Sequence, residues 1–291
     1  MRRPALQILE VMHPMKSHEE LLTDLSRLAA QPDPAPLADY LEKNLTALFA
    51  SPYMAQYYQA IRNTAVGKEA AVLPKLIVAW LAFLCGDNAG LSVVINHISE
   101  EEADTPPKAS FLYALQALSG IVSDPAQRQE YGRMAIEVLP PDDTSVFMAN
   151  AKLTYAQLLS GLEQYRTAAG LFAEAYRLFL ALDMFFPAAV ALTNELLNRY
   201  RLGQLMEVID KGERALAMAT NFHGEAHDYW NILHLPLGMC HFELNKASLA
   251  EQSLRLAQKA ISRMGLFHMH GLVEYYLLKS LLRVGRSGRA G

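Results

Sequence analysis

Small residues recur in this chain about every forty positions, and that recurrence restricts its fold more than any other feature. Ala135, Ala175, Ala215 and Ala257 are separated by 40, 40 and 42 residues. Three residues before each lies Gly132, Phe172, Gly212 or Leu254; four after each lies Leu139, Phe179, Ala219 or Ile261. Offsets of three and four keep one helix face apolar, with a small residue at its centre. A small residue is needed there when the helix backbone must approach its neighbour closely. One buried helix can show the pattern once. Four copies at nearly constant spacing indicate a repeated unit.

The first half of the unit agrees. Ala156, Ala168, Phe172 and Ala175 have successive offsets of 12, 4 and 3, and Gly238, Ala250, Leu254 and Ala257 have the same offsets. A turn (Ser160-Gly161, Leu202-Gly203 or Leu244-Asn245) falls between the halves. Each unit therefore reads as helix, short turn, helix. Apolar residues recur at three and four elsewhere too, without Asn-Gly or Asp-Gly hairpin turns or sustained alternation. The expected fold is all-α: a right-handed superhelix, or α-solenoid, of about six or seven helical hairpins. Residues 1–70 are less regular and are expected to form a helical N-terminal cap, 71–285 the array, and 286–291 a flexible tail. The next small residue of the period falls past the last residue. The final helix, expected over His270 to Val284, should therefore lack a partner and expose Leu277, Leu278 and Leu281, a surface suited to homo-oligomerisation.

At these positions the chain resembles the tetratricopeptide repeat, whose consensus places small, small, aromatic and small residues at this spacing. Ala156, Ala168, Phe172 and Ala175 match it; Gly238, Ala250 and Ala257 match with Leu254 in place of the aromatic. The unit of Leu196, Val208, Gly212 and Ala215 departs at three of the four, and that of Gln116, Arg128, Gly132 and Ala135 keeps only the final alanine clearly. The usual period is ~34 residues, so about six extra residues lengthen each unit here. Longer, degenerate repeats of this kind are similar to the helical region of the MalT-like branch of LuxR-type bacterial transcriptional regulators. The segment AWLAFLCGDNAGLSVVI, Ala79 to Ile95, resembles a helix-Gly-Asp-helix turn of that region. The resemblance covers roughly residues 70 to 285. It implies a sensing region that binds a small-molecule effector, a peptide or a protein in its concave groove. In such regulators a nucleotide-binding module precedes the repeats and a helix-turn-helix follows them. Neither is visible: Gly67-Lys68 lacks both the earlier glycine and the following Ser/Thr of a phosphate-binding loop. The alternative is a free-standing scaffold for protein–protein interaction.

Composition narrows the function further. The net charge of -4 gives no global attraction to nucleic acid or anionic lipid, so no direct nucleic-acid contact is expected. The basic tail, with Arg283, Arg286 and Arg289, reads as a solvated end. The N-terminus has only a broken apolar run and no signal-peptide pattern, and Val72 to Cys85 is too short to span a bilayer. Two distant cysteines, Cys85 and Cys240, suit a reducing cytoplasm.

The candidate binding residues are polar rows on the first helices of successive hairpins, which line the concave face in tetratricopeptide-like stacks. Asn150, Thr154 and Gln157 follow helical spacing, as do Asn194, Asn198 and Arg201, and His227, Asn231 and His234. Asparagine is a poor helix-interior residue because its side chain competes for backbone hydrogen bonds, so its recurrence needs a reason. A groove whose amides and Arg201 hold a peptide backbone, carboxylate or sugar would supply one. Histidines cluster between His223 and His270, but Gly224 breaks the zinc-protease pattern in HGEAH and no third ligand is fixed by spacing, so no metal or cofactor is assigned. No nucleophile–base or carboxylate pair can be placed by spacing, which argues against an enzyme.

Overall fold

The computed structural model describes residues 17–64, 71–96, 98, 102–119, 122–222, 225–266 and 269–287. Gly67-Lys68, His223, Gly224, His268, Arg289 and the N-terminal segment 1–16 lie outside the described residues.

Four short helices open the described chain: α1 (His18–Ala29), α2 (Ala35–Lys43), α3 (Leu45–Ala50) and α4 (Met54–Ile61). Ser17 caps α1 in a reciprocal box with Glu20, satisfying two backbone donors that the first turn leaves free. Helices α5 (Val72–Leu84), α6 (Asn88–Ile95), α7 (Pro106–Leu118) and α8 (Pro125–Glu137) follow. The most regular part comprises α9 (Val146–Gly161), α10 (Tyr165–Ala181), α11 (Phe185–Arg201) and α12 (Leu205–Ala219). A short α13 (Glu225–Asp228) and a 3-10 turn (Tyr229–Leu233) lead into α14 (His234–Glu243), α15 (Ala247–Arg263) and α16 (His270–Ser287). No strand occurs among the described residues. Neighbours in sequence pack on each other from α7 to α12 and from α14 to α16, as an α-solenoid requires.

Backbone geometry makes the repeat explicit. Gly86, Glu163, Asp183, Gly203, Asn245 and Gly265 all take positive φ, between 56° and 76°. Each follows a helix end. In every case the next N–H donates to the carbonyl five residues back, as in Gln164 to Leu159, Met184 to Phe179 and Gln204 to Arg199, at 2.9 to 3.0 Å. This is the Schellman closure, which satisfies carbonyls that the last helical turn leaves open. The left-handed residues at 163, 183 and 203, and again at 245 and 265, are 20 positions apart. The forty-residue period is thus two helix-and-turn steps of equal length. Gly161 does not make its turn, as the sequence had suggested; it ends α9, and Glu163 takes the left-handed position.

The small residues lie where the helices approach most closely. Ala135, Ala156, Ala168, Ala175, Ala250 and Ala257 are fully buried. A Cβ on Gly132 would stand 2.4 Å from the Tyr155 ring, and one on Gly212 2.9 Å from Leu237. A Cβ on Gly238 would stand 2.7 Å from Leu254 Cγ and 3.2 Å from the Leu254 backbone nitrogen. At Gly238 the obstacle includes backbone, which cannot rotate away.

The N-terminal helices are docked on the array. Phe49 of α3, Trp80 of α5 and Phe111 of α7 form an aromatic triangle with centroids 5.5 to 5.9 Å apart. Tyr58 of α4 donates to Asp87 Oδ2 at 2.6 Å, while Asp87 Oδ1 accepts from the Gly90 N–H at the start of α6. Helix α3 also touches α11, so the N-terminal segment reaches the middle of the array.

At the other end α16 packs on α15 and α14. It runs three residues beyond the expected end, to Ser287. Leu277 is buried, contrary to expectation, whereas Tyr275, Leu278 and Leu282 are 51%, 60% and 56% exposed, and Leu281 is exposed beside them. Ser280, 42 residues after Gly238, fills the buried small-residue position of this last unit.

Two glycine substitutions separate the two constraints. Gly203→Ala meets no neighbour and tests left-handed strain alone, so it should cost about 1 kcal/mol. Gly238→Ala forces α14 and α15 apart and should cost about 1–3 kcal/mol. Urea midpoints of both variants against wild type check the order; an unchanged midpoint for Gly238→Ala would contradict the close approach.

Candidate partner-binding surface

The three polar rows meet different fates. In α9, Asn150 and Thr154 are buried, and Gln157 is partly exposed. In α11, Asn198 is buried, Asn194 is partly buried and Arg201 is exposed. Asn194 Nδ2 donates to the Val190 carbonyl at 2.9 Å, and Asn198 Nδ2 to the Asn194 carbonyl at 2.8 Å. Thr193 Oγ1 does the same to the Ala189 carbonyl at 2.8 Å. These side chains bond back to their own helix, which gives Asn194 and Asn198 a local explanation. Asn150, Thr154 and Asn198 do not form an open row, because neighbouring helices cover them.

The third row is not a helical row at all. His227 ends α13, Asn231 lies in the 3-10 turn and His234 begins α14. A 3-10 turn advances three residues per turn, so i, i+4 and i+7 positions no longer align. Pro236, which has no N–H to give to Ile232, supplies a reason for the altered winding. His227 is exposed and its Nδ1 lies 2.9 Å from the Ala219 carbonyl. Among the described residues, no group of three or more His, Cys, Asp or Glu is placed to hold a metal ion.

Arg201 stands over the Tyr165 ring at 5.5 Å from its centroid. The same helix carries a buried carboxylate that spacing does not single out. Glu195 is 0% exposed, and both its oxygens accept from Lys211 Nζ at 2.6 Å. Arg199 Nε donates to it at 2.7 Å and reaches Glu207 at 2.6 Å. A buried carboxylate is tolerable only when paired in this way, and here the pairing fastens α11 to α12. Nothing in the spacing of Glu195 marks it off from a surface glutamate.

One predicted residue lines a cleft. Asn231 faces a cavity of about 180 Å³ between the α3–α4 connection, the 3-10 turn and α15. Pro52 and Tyr53 form one wall, Asp228 and Tyr229 a second, and Leu256, Lys259 and Arg263 the third. Arg263 is bonded to the Asp228 carboxylate, whereas Lys259 and Leu256 are exposed. Tyr53 is held by His18, whose ring stacks on it at 3.8 Å. The cleft joins segments about two hundred residues apart, which is why spacing could not reveal it.

No protein-family model matches the chain, and no curated protein matches it by sequence. Among solved structures, the chain is similar to BtubC (BKLC) from P. vanneervenii, with a TM-score of 0.52 and 18% identity over 86% of this chain and 93% of that one. At that identity the likeness concerns the fold, and it agrees with a helical array. No helix of the described residues is long and apolar enough to cross a membrane.

His234 does not line the cleft, and its partial burial bears on the stability of the fold. Burial pushes its ring below the usual histidine range, and nearby His241 adds to the effect. Its Nδ1 is buried without a hydrogen-bond partner. His241 is lowered as well, by burial and then Lys246, against the opposing Glu213. Both rings therefore favour the neutral form when folded. The stability this contributes is present above the unfolded histidine pKa of about 6.5 and is lost as pH falls below it. Thermal melting should drop from about pH 7.5 to about pH 5, and the drop should be smaller in His234→Gln. An equal drop in the variant would contradict this account.

Proposed function

We propose that this chain is a protein-binding helical-repeat module. It holds a peptide segment of its partner across the cleft between the α3–α4 connection and α15. The observation that carries this reading is the size and lining of the cleft. Small-molecule sites usually enclose about 300–1,000 Å³, and 180 Å³ suits one side chain better than a free effector. Asp228 already offsets the Arg263 charge, so the exposed Lys259 ammonium selects an acidic anchor, with Asn231 as a hydrogen-bonding group beside it. Exposed Leu256 and the Tyr53 ring offer apolar contact to the flanking residues of the peptide. The proposed role is binding without a catalytic step. The two cysteines form no disulfide, which supports placing the module in a reducing compartment such as the cytoplasm.

A second reading is the effector-sensing region of a MalT-like regulator. It rests on the sequence resemblance and on one further observation. The cleft lies where the N-terminal helices meet the C-terminal hairpin, so a ligand there would bridge distant parts of the array and bias its curvature.

Selection of displayed random peptides on the intact protein separates the readings. Peptides with a shared acidic residue should be enriched, and Lys259→Glu should weaken them at least about tenfold, as expected for a lost charge-assisted bond. Peptides insensitive to Lys259→Glu would contradict the proposed seat. A small molecule retained at one copy per chain in native mass spectrometry would favour the sensor.

A further inference from the structure

The cleft wall formed by Pro52 and Tyr53 is held by contacts that lie outside the cleft. Ser17 and Glu20 cap α1 in a reciprocal box, which fixes the backbone at His18, the first residue of that helix. The His18 ring stacks on the Tyr53 ring, with centroids 3.8 Å apart and planes inclined by 24°. Its Nδ1 lies 3.2 Å from the Tyr57 hydroxyl, which lies 2.9 Å from Ser51 Oγ. Ser51 Oγ in turn accepts from the Tyr53 N–H at 3.2 Å. These contacts form a closed circuit that begins and ends at Tyr53.

The Tyr53 backbone is fixed on both sides. Its N–H goes to Ser51, and its carbonyl accepts from the N–H groups of Gln56 and Tyr57 at 3.0 and 3.2 Å. The backbone leaves the Tyr53 ring to be restrained, and the stacked imidazole does this. His18 does not itself line the cleft, so its ring acts there through Tyr53. Tyr53 stands on one wall and Lys259 on another. The position of the Tyr53 ring therefore governs the space left beside the ammonium. In a cleft of about 180 Å³ with close-packed walls, one methylene of an acidic anchor is felt.

We infer that His18 is a positioning residue that sets the anchor specificity of the cleft. By fixing the Tyr53 ring it decides between an aspartate and a glutamate side chain beside Lys259. The inference rests on the peptide-binding role proposed above and adds the length of the anchor to its charge. Rigid walls separate side chains that differ by one methylene by about tenfold or more, whereas a yielding wall accepts both.

Peptides selected on the intact protein, each made with aspartate and with glutamate at the anchor, test this by fluorescence anisotropy. Wild type should prefer one of the two by about tenfold. His18→Asn places an oxygen where Nδ1 stood and keeps an acceptor for Tyr57, but it has no ring; its preference should fall to about twofold or less. His18→Phe keeps a ring to stack on Tyr53 and loses the acceptor; its preference should stay near that of wild type. Thermal melting of both variants supplies the control, since a purely structural role would make the preference follow the melting temperature and not the presence of a ring. A wild type with no preference would overturn the inference, as would equal losses in the two variants. A His18→Asn variant that discriminates as wild type does, while Lys259→Glu still weakens binding, would overturn the inference and leave the cleft reading standing. Peptides indifferent to Lys259→Glu would overturn that reading and the inference with it.

Discussion

Close approach of helix backbones is the constraint on which the rest of this structure depends. Ala156, Ala175, Gly238 and Ala257 allow it by occupying almost no space between neighbouring helices. Where a side chain does intrude, the facing helix supplies a glycine, as with Tyr155 at Gly132 and Leu237 at Gly212. A lone hairpin would leave such a surface in water. Stacking hides each unit against the next and builds a main core that reaches from α1 to α16, with Ala135 of α8 in a smaller cluster beside Ala114 and Ala151. The equal twenty-residue steps between left-handed turns follow from the same requirement, since helices of one length align their small residues side by side.

That constraint also governs where binding can occur. Helices α9 and α11 are buried on most of their surface, so their polar side chains must be satisfied internally. The Nδ2 groups of Asn194 and Asn198 do this through their own backbone, and Glu195 through Lys211 and Arg199, whereas Thr154 Oγ1 and Asn198 Oδ1 are buried without a partner. One opening, the cleft, lies at a discontinuity of the stack beside the irregular 3-10 turn, and it carries the binding proposal. Another, of about 340 Å³, lies within the regular array between the α8–α9 connection, α9 and α10, bordered by Asp143, Lys152 and Glu174.

The fold was legible in the sequence because it rests on a periodic property. The offsets of Ala156, Ala168, Phe172 and Ala175 state the hairpin directly, and the structure is all-helical as they require. The terminal stripe was also legible, apart from Leu277, which packs inward because one position on a helix rotates a side chain by about 100°. The polar rows were harder. Spacing gives a helix face but not what covers it, so Thr154 and Asn198 could not be told apart from solvent-facing residues. The row through His227, Asn231 and His234 failed where Pro236 changes the winding. The cleft was beyond reach, because Tyr53 and Lys259 meet only through the docking of the N-terminal helices.

Hydrogen–deuterium exchange of the native chain, resolved by peptide, tests the central claim that stability comes from neighbour-on-neighbour stacking. In a stacked array, protection depends on how many sides of a helix are covered. The amides of α9 and α11 should exchange slowest, α14 and α15 at an intermediate rate, and the last turns of α16 and the outer face of α1 fastest. A single exchange rate from α1 to α16, or an α11 that exchanges as fast as α16, would contradict the account.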